Sequence, residues 1–170
     1  NTSFSISFEG LKNPYYLALY AGSIISLENN VCDKEMKGGL DFSADLFLGD
    51  AGIWGLFFEY TGTTLEGEKF NAIGGGGEVR IPFDFSLFSF CPNVRVGMQL
   101  NTDEPKVSRF FWEVGAEAVF DVGFEYFKPC ISAAYRKNYD KYTDFSTSAV
   151  EEEINSSNIA IKIGIAFSFD

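Results

Sequence analysis

The chain has 170 residues, 46% of them hydrophobic and 22% charged, which fits a single folded domain and excludes a chain disordered throughout. It contains no histidine, so Ser-His and Cys-His nucleophile pairs and histidine metal sites are excluded. The formal charge of -11 speaks against nucleic-acid binding, which needs a basic footprint.

No stretch reaches the roughly 20 consecutive apolar residues of a membrane-spanning helix. The start of the chain lacks a basic stretch followed by an apolar core, so a secretion signal is expected to have been removed or never to have existed. The three cysteines, Cys32, Cys91 and Cys130, share no metal-binding spacing and are expected to be free or structural thiols.

In chain order, residues 1–11 alternate, with Phe4, Ile6 and Phe8 on one face, before the break at Lys12-Asn13-Pro14. We read residues 1–14 as a short extension and 15–170 as the folded domain. Residues 15–27 form the first predicted strand. From Gly39 onward Leu40, Phe42, Ala44, Leu46 and Leu48 alternate with Asp41, Ser43, Asp45 and Phe47. A period of two sends these sets to opposite faces of a strand. Asp50-Ala51-Gly52 is a hairpin signal. The next strand puts Trp54, Leu56, Phe58 and Tyr60 opposite Gly55, Phe57 and Glu59.

The four glycines 74–77 read as a relaxed strand end, since neither a helix nor a GK[ST] sequence follows as a phosphate loop requires. Val79, Ile81, Phe83, Phe85 and Leu87 oppose Glu78, Arg80, Pro82, Asp84 and Ser86, although Pro82 lacks a ladder donor and suggests a bulge. Cys91-Pro92-Asn93 is read as a turn. Val94, Val96, Met98 and Leu100 then oppose Arg95, Gly97 and Gln99. Phe110, Trp112, Val114, Ala116 and Ala118 oppose Glu113, Gly115 and Glu117. After a two-residue turn at Val122-Gly123, Phe127, Ile131, Ala133 and Tyr135 oppose Lys128, Cys130, Ser132 and Arg136. Finally Ile159, Ile161, Ile163, Ile165, Phe167 and Phe169 oppose Lys162, Gly164, Ala166 and Ser168.

Eight strands result, joined alternately by short turns (50–52, 91–93, 122–123) and long loops (28–38, 62–72, 102–108, 138–157). This is the pattern of an all-β, eight-stranded antiparallel up-and-down barrel. The apolar face is bulky and unbroken over about nine to eleven residues per strand, which matches a bilayer crossing. The other face is small or charged. Tyr60, Phe110, Trp112 and Tyr135 fall outward near the long loops, and Trp54, Phe127, Phe167 and Phe169 outward near the short turns. Two aromatic belts are the expectation for a transmembrane barrel.

The last strand carries a resemblance. KIGIAFSF, with Lys162, Gly164, Phe167 and Phe169 at the motif positions, resembles the C-terminal sorting signal of outer-membrane β-barrels, departing from it in the final Asp170. The chain as a whole resembles the small eight-stranded barrels of the OmpA, OmpX and OmpW type. That resemblance implies a bacterial outer-membrane location, outer-membrane lipid as surroundings, and recognition of the last strand by the barrel-assembly machinery.

Barrels resembling lipid A acylases, deacylases and omptin proteases rely on histidine, so no enzymatic activity, cofactor or metal is expected. Asp41 with Asp45 and Glu113 with Glu117 are the nearest carboxylate pairs, and both read as lumen polar residues. The long loops carry most of the net negative charge and are candidates for surface recognition of extracellular ligands. The leading reading is a structural or surface-interaction barrel with a charged, largely closed lumen. A narrow channel for ions or small solutes stays open as an alternative, as does a soluble lipocalin-like carrier.

The expected lumen arrangement follows from register. A two-residue turn at 122–123 pairs Glu117 with Lys128, and a symmetric 102–108 connection sets Arg95 opposite Glu117 and Gln99 opposite Glu113. Arg95, Glu117 and Lys128 are then expected in one row of ion pairs, with Glu113 and Lys162 nearby and Arg80 and Asp84 on the same charged face.

Overall fold

A computed structural model of the chain describes residues 17–27, 30–31, 34–48, 53–65, 68–102, 107–124, 126–142 and 153–167. The predicted extension 1–14, Cys32, the turn 50–52, Phe169 and much of the fourth loop lie outside these residues.

The strands are β1 (Leu17–Ser26), β2 (Asn30–Val31), β3 (Lys34–Leu48), β4 (Trp54–Leu65), β5 (Glu68–Arg80), β6 (Phe83–Asp84), β7 (Phe88–Asn101), β8 (Val107–Phe120), β9 (Phe127–Tyr142) and β10 (Glu153–Phe167). Eight are long, and β2 and β6 are two-residue pieces added to β3 and β7. Each long strand pairs antiparallel with its sequence neighbour, and β1 pairs with both β3 and β10, which closes the sheet into a barrel. Closure leaves no sheet edge, so every long strand has a partner on both sides.

Alternation sets the polarity of the wall. Leu46, Leu56, Val96, Val114 and Ile163 are all exposed on the outside, while Asp45, Glu78, Arg95, Glu113 and Lys162 are buried inside. The apolar face therefore points outward, the reverse of a lipocalin cup, and the lipocalin-like alternative falls on that observation. From Phe127 to Tyr135 the wall rises roughly 20 Å at about 3.3 Å per residue and a tilt of about 40°. Aromatic rings flank this band at both ends. Phe85 stacks on Phe88 and Phe124 on Phe127 at the turn end, and Trp112 packs on Tyr135 at the loop end.

Three connections differ from the sequence reading. The fourth barrel strand is β5, which runs through all four glycines from Glu68 to Arg80, so residues 62–72 hold no long loop. Glycine has no side chain to alternate, and periodicity is blind to such a strand. The alternating stretch 79–87 is instead the end of β5 followed by β6. Pro82 interrupts between them, where no ladder donor is needed.

Cys91-Pro92-Asn93 is no turn but part of β7, and the reversal comes earlier, where the Phe85 amide donates to the Phe88 carbonyl at 2.9 Å. In an antiparallel strand a residue's N–H and C=O point to the same neighbour. The Pro92 carbonyl accepts from the Ile81 amide (3.0 Å), so its missing donor faces the side where β5 has already ended. The β8–β9 connection spans 121–126 and is not a two-residue turn. Gly123 takes a left-handed φ of 83°, and its amide donates to the Asp121 side chain at 3.2 Å.

Candidate functional site in the barrel lumen

These longer connections move the registers. Glu117 stands opposite Ser132 instead of Lys128, and Arg95 opposite Glu113 instead of Glu117. Gln99 faces Arg109, not Glu113. Each shift is an even number of residues, so every side chain keeps its expected face while its partner changes.

Two of the expected lumen residues lie elsewhere. Lys128 is half-buried at the turn end, with its ammonium 3.8 Å from Asp121, and its register partner is Ala166. Asp84 sits on β6, exposed, and accepts a hydrogen bond from the Ser89 hydroxyl at 2.6 Å. It is not a lumen residue, because the chain has left the barrel wall at Pro82.

The remaining expected residues, Arg80, Arg95, Glu113, Glu117 and Lys162, are buried in the lumen. They join a larger set of inner-face residues, of which Tyr20 had been given no face by the sequence. Arg95 bonds to the carboxylate of Asp45, donates from Nε to Glu78 at 2.9 Å, and lies 3.6 Å from Glu113. Arg136 grips Glu59 with two nitrogens, at 2.8 and 2.7 Å, and Glu113 with Nε and Nη2, at 2.9 and 2.7 Å. Glu113 therefore links two arginines. Gln99 adds a 2.5 Å hydrogen bond to Glu59. Nearer the turns, Glu117 accepts from Arg80 at 3.2 Å and from the Tyr20 hydroxyl. Lys162 lies 3.4 Å from both Asp41 and the Ser43 hydroxyl.

Strand order gives these contacts their meaning. β4 and β9 are four strands apart in either direction, the largest separation that eight barrel strands allow. Arg136 to Glu59 is therefore a strut across the full width of the tube. Arg95 to Asp45 spans β7 to β3, and Tyr20 to Glu117 spans β1 to β8. Every long strand sends at least one side chain into this lattice.

Aromatic rings fill the gaps between the struts. Arg80 lies over the Phe47 ring at 3.4 Å, Arg136 over Phe111 at 4.0 Å, and Arg95 over Phe57 at 5.2 Å. A guanidinium is flat, so its faces stack on rings while its edge donates to carboxylates. Phe57 and Phe111 meet with centroids 5.9 Å apart. Both rings reach toward Gly97, where an added Cβ would lie 2.8 Å from each. The sequence signal for these rings was their parity: Phe47 and Phe57 sit among the charged residues, not on the apolar face.

Of the predicted assembly signal, Lys162, Gly164 and Phe167 lie on β10, which closes the barrel against β1. Gly164 pairs with Tyr20, whose ring carbon Cδ1 would lie 2.6 Å from a Cβ there. Cys91 and Cys130 are buried, unbridged and on different strands.

An outward apolar wall around a charged interior defines the architecture of a transmembrane β-barrel. No protein-family model and no curated protein sequence matches the chain. Among solved structures, the crystal structure of Neisserial surface protein A is similar with a TM-score of 0.51 and 13% identity, over 90% of this chain and 97% of that one. The outer membrane protein AlkL, solved by solid-state NMR in DMPC lipid bilayers, is similar with a TM-score of 0.54 and 13% identity, over 100% of this chain and 97% of that one. At this identity the shared property is the fold: a small eight-stranded outer-membrane barrel.

Proposed function

We propose that the chain is an integral protein of a bacterial outer membrane whose barrel is a sealed anchor, with its working surface in the acidic loops. The observation that carries this reading is the bidentate strut from Arg136 to Glu59 across the barrel's full width, flanked by the Arg95 cluster and packed with Phe57 and Phe111. An eight-strand barrel has an interior just wide enough for side chains to fill. Here they fill it with ion pairs, which block passage better than loose polar chains because opening one strands its partners.

The reading extends to partners and chemistry. Outer-membrane lipid surrounds the apolar wall, and the barrel-assembly machinery reads the last strand through Lys162, Gly164, Phe167 and Phe169. The acidic loops serve recognition of extracellular ligands. The chain is not an enzyme: Asp41, Asp45, Glu113 and Glu117 each contact a lumen cation or hydroxyl, which suits struts better than general acids or bases.

Planar-bilayer recording of the purified protein tests the proposal. The expected result is a membrane current indistinguishable from the protein-free bilayer. Discrete, salt-dependent current steps would establish the channel reading instead.

A further inference from the structure

The turn end of the barrel carries apolar side chains where an end standing in water would carry polar ones. On its β5 side β7 is paired only as far as Asn93, and β6 takes over beyond Pro82, with Phe83 opposite Phe90 and Asp84 opposite Ser89. The hairpin 83–90 therefore projects past the end of β5 as a lip. The Asp121 amide donates to the Leu87 carbonyl at 3.0 Å, which ties the lip to the β8–β9 connection. Leu87, at the tip of the reversal, is 72% exposed, the most exposed large apolar side chain among the described residues. Val122, Phe124 and Tyr126 in the adjoining connection are each more than half exposed. Contiguous apolar exposure of this kind marks an interaction surface.

We infer that this lip is an interfacial anchor, seated among the headgroups and upper acyl chains of the turn-side leaflet. The inference rests on the membrane seating proposed above. The lip keeps the alternation of the wall. Phe83, Phe85, Phe88 and Phe90 share its outer face, while Asp84 and Ser89, joined by a hydrogen bond of 2.6 Å, lie on the other. Phe85 stacks on Phe88 with centroids 4.9 Å apart, and Phe88 packs on Phe120 of the wall at 6.2 Å. The apolar face of the lip thus runs without a break into the lipid-facing wall, and that continuity selects lipid as its occupant. A protein docking from the aqueous space would meet the Asp84 face instead. Height supports the same conclusion. The wall that β5 and β7 build together, from Val94 to Leu100, rises only about 15 Å at roughly 3.3 Å per residue and a tilt of about 40°. Extended through the lip to Phe88, the outward apolar positions of β7 rise about 30 Å, the thickness of a hydrocarbon core. This sector reaches bilayer height only through the lip, and its rings fall at the depth that interfacial aromatics occupy.

Depth-dependent quenching of a single tryptophan tests the anchor. Trp54 and Trp112 are the chain's two tryptophans. In a Trp54→Phe/Trp112→Phe background, one tryptophan is introduced by Phe85→Trp on the lip, by Leu87→Trp at its tip, or by Ile163→Trp on the wall. Each protein is reconstituted in phosphatidylcholine vesicles whose acyl chains carry bromine either near the headgroup or deep in the chain. Folding of each variant is checked by its heat-dependent shift in gel mobility. The expected result is that Phe85→Trp loses most of its emission to bromine near the headgroup and Ile163→Trp to bromine deep in the chain, while iodide in the buffer quenches neither. Leu87→Trp should follow Phe85→Trp. Quenching of both lip variants by iodide and not by bromine puts the lip in water, and protection from both quenchers puts protein over it, a second copy included. Either result overturns the anchor, and a bromine-quenched Ile163→Trp then leaves the membrane barrel standing. Failure of bromine to reach Ile163→Trp as well overturns both.

Discussion

At the scale of single residues, the lumen is governed by the cost of stranding a charge. Arg136 holds Glu59 and Glu113 together, both buried. Replacing it with methionine leaves two carboxylates facing each other without their main donor. Removing one member of a buried pair costs about 3–5 kcal/mol. We therefore expect Arg136→Met to lower the urea midpoint of the barrel in liposomes by that order. Adding Glu59→Gln to it should recover part of the loss, a coupling that a double-mutant cycle would reveal. Purely additive effects would show that the strut does not form. Gly97 is the steric counterpart: an alanine there meets Phe57 and Phe111 at once. Overpacking of this kind costs typically 1–3 kcal/mol, and Phe111→Leu should relieve it. Denaturation of the single and double variants measures both effects.

At the scale of elements, alternation decides what a substitution does. Ile163 on β10 pairs with Ile131, midway along the apolar band from Phe127 to Tyr135, and is strongly exposed on the outer face. A mid-bilayer arginine there should cost about 2–4 kcal/mol, so Ile163→Arg is expected to fail in folding into liposomes. Normal insertion of that variant would remove the lipid from the account. The cysteines give a second check. Cys91 on β7 and Cys130 on β9 have β8 between them, where Glu117 and Val119 are their register partners. Two strand spacings amount to about 9.5 Å, beyond the roughly 7 Å that a disulfide tolerates. Mass spectrometry without reductant should find no Cys91–Cys130 peptide, and finding one would contradict the strand order.

The same scale explains what could be read from the sequence. Faces were legible everywhere that side chains alternate, which is why Leu46, Val114 and Ile163 lie outside and Arg95, Glu117 and Lys162 inside. Partners were not, because a partner depends on connection length. The β8–β9 connection spans 121–126 instead of two residues, and the register that goes with it sets Glu117 opposite Ser132 instead of Lys128. Cross-lumen contacts such as Arg136 to Glu59 depend on strand order and stagger together, and no local pattern encodes them. The glycine strand β5 was invisible for a simpler reason: its residues 74–77 have no side chains to alternate.

At the scale of the whole molecule, the barrel is held from two sides. Outside, a continuous apolar wall with aromatic belts suits it to a bilayer. Inside, carboxylates and cations from opposite walls tie the strands together. On the reading proposed above, function on such a body falls to the acidic loops. The central claim is that the lattice seals the tube. The most direct measurement is a paired planar-bilayer recording of the unaltered protein and the double variant Arg95→Ser/Arg136→Ser, which removes both arginines that Glu113 links. The account expects silence from the first and discrete current steps from the second. Steps from the unaltered protein that the double substitution leaves unchanged would contradict it.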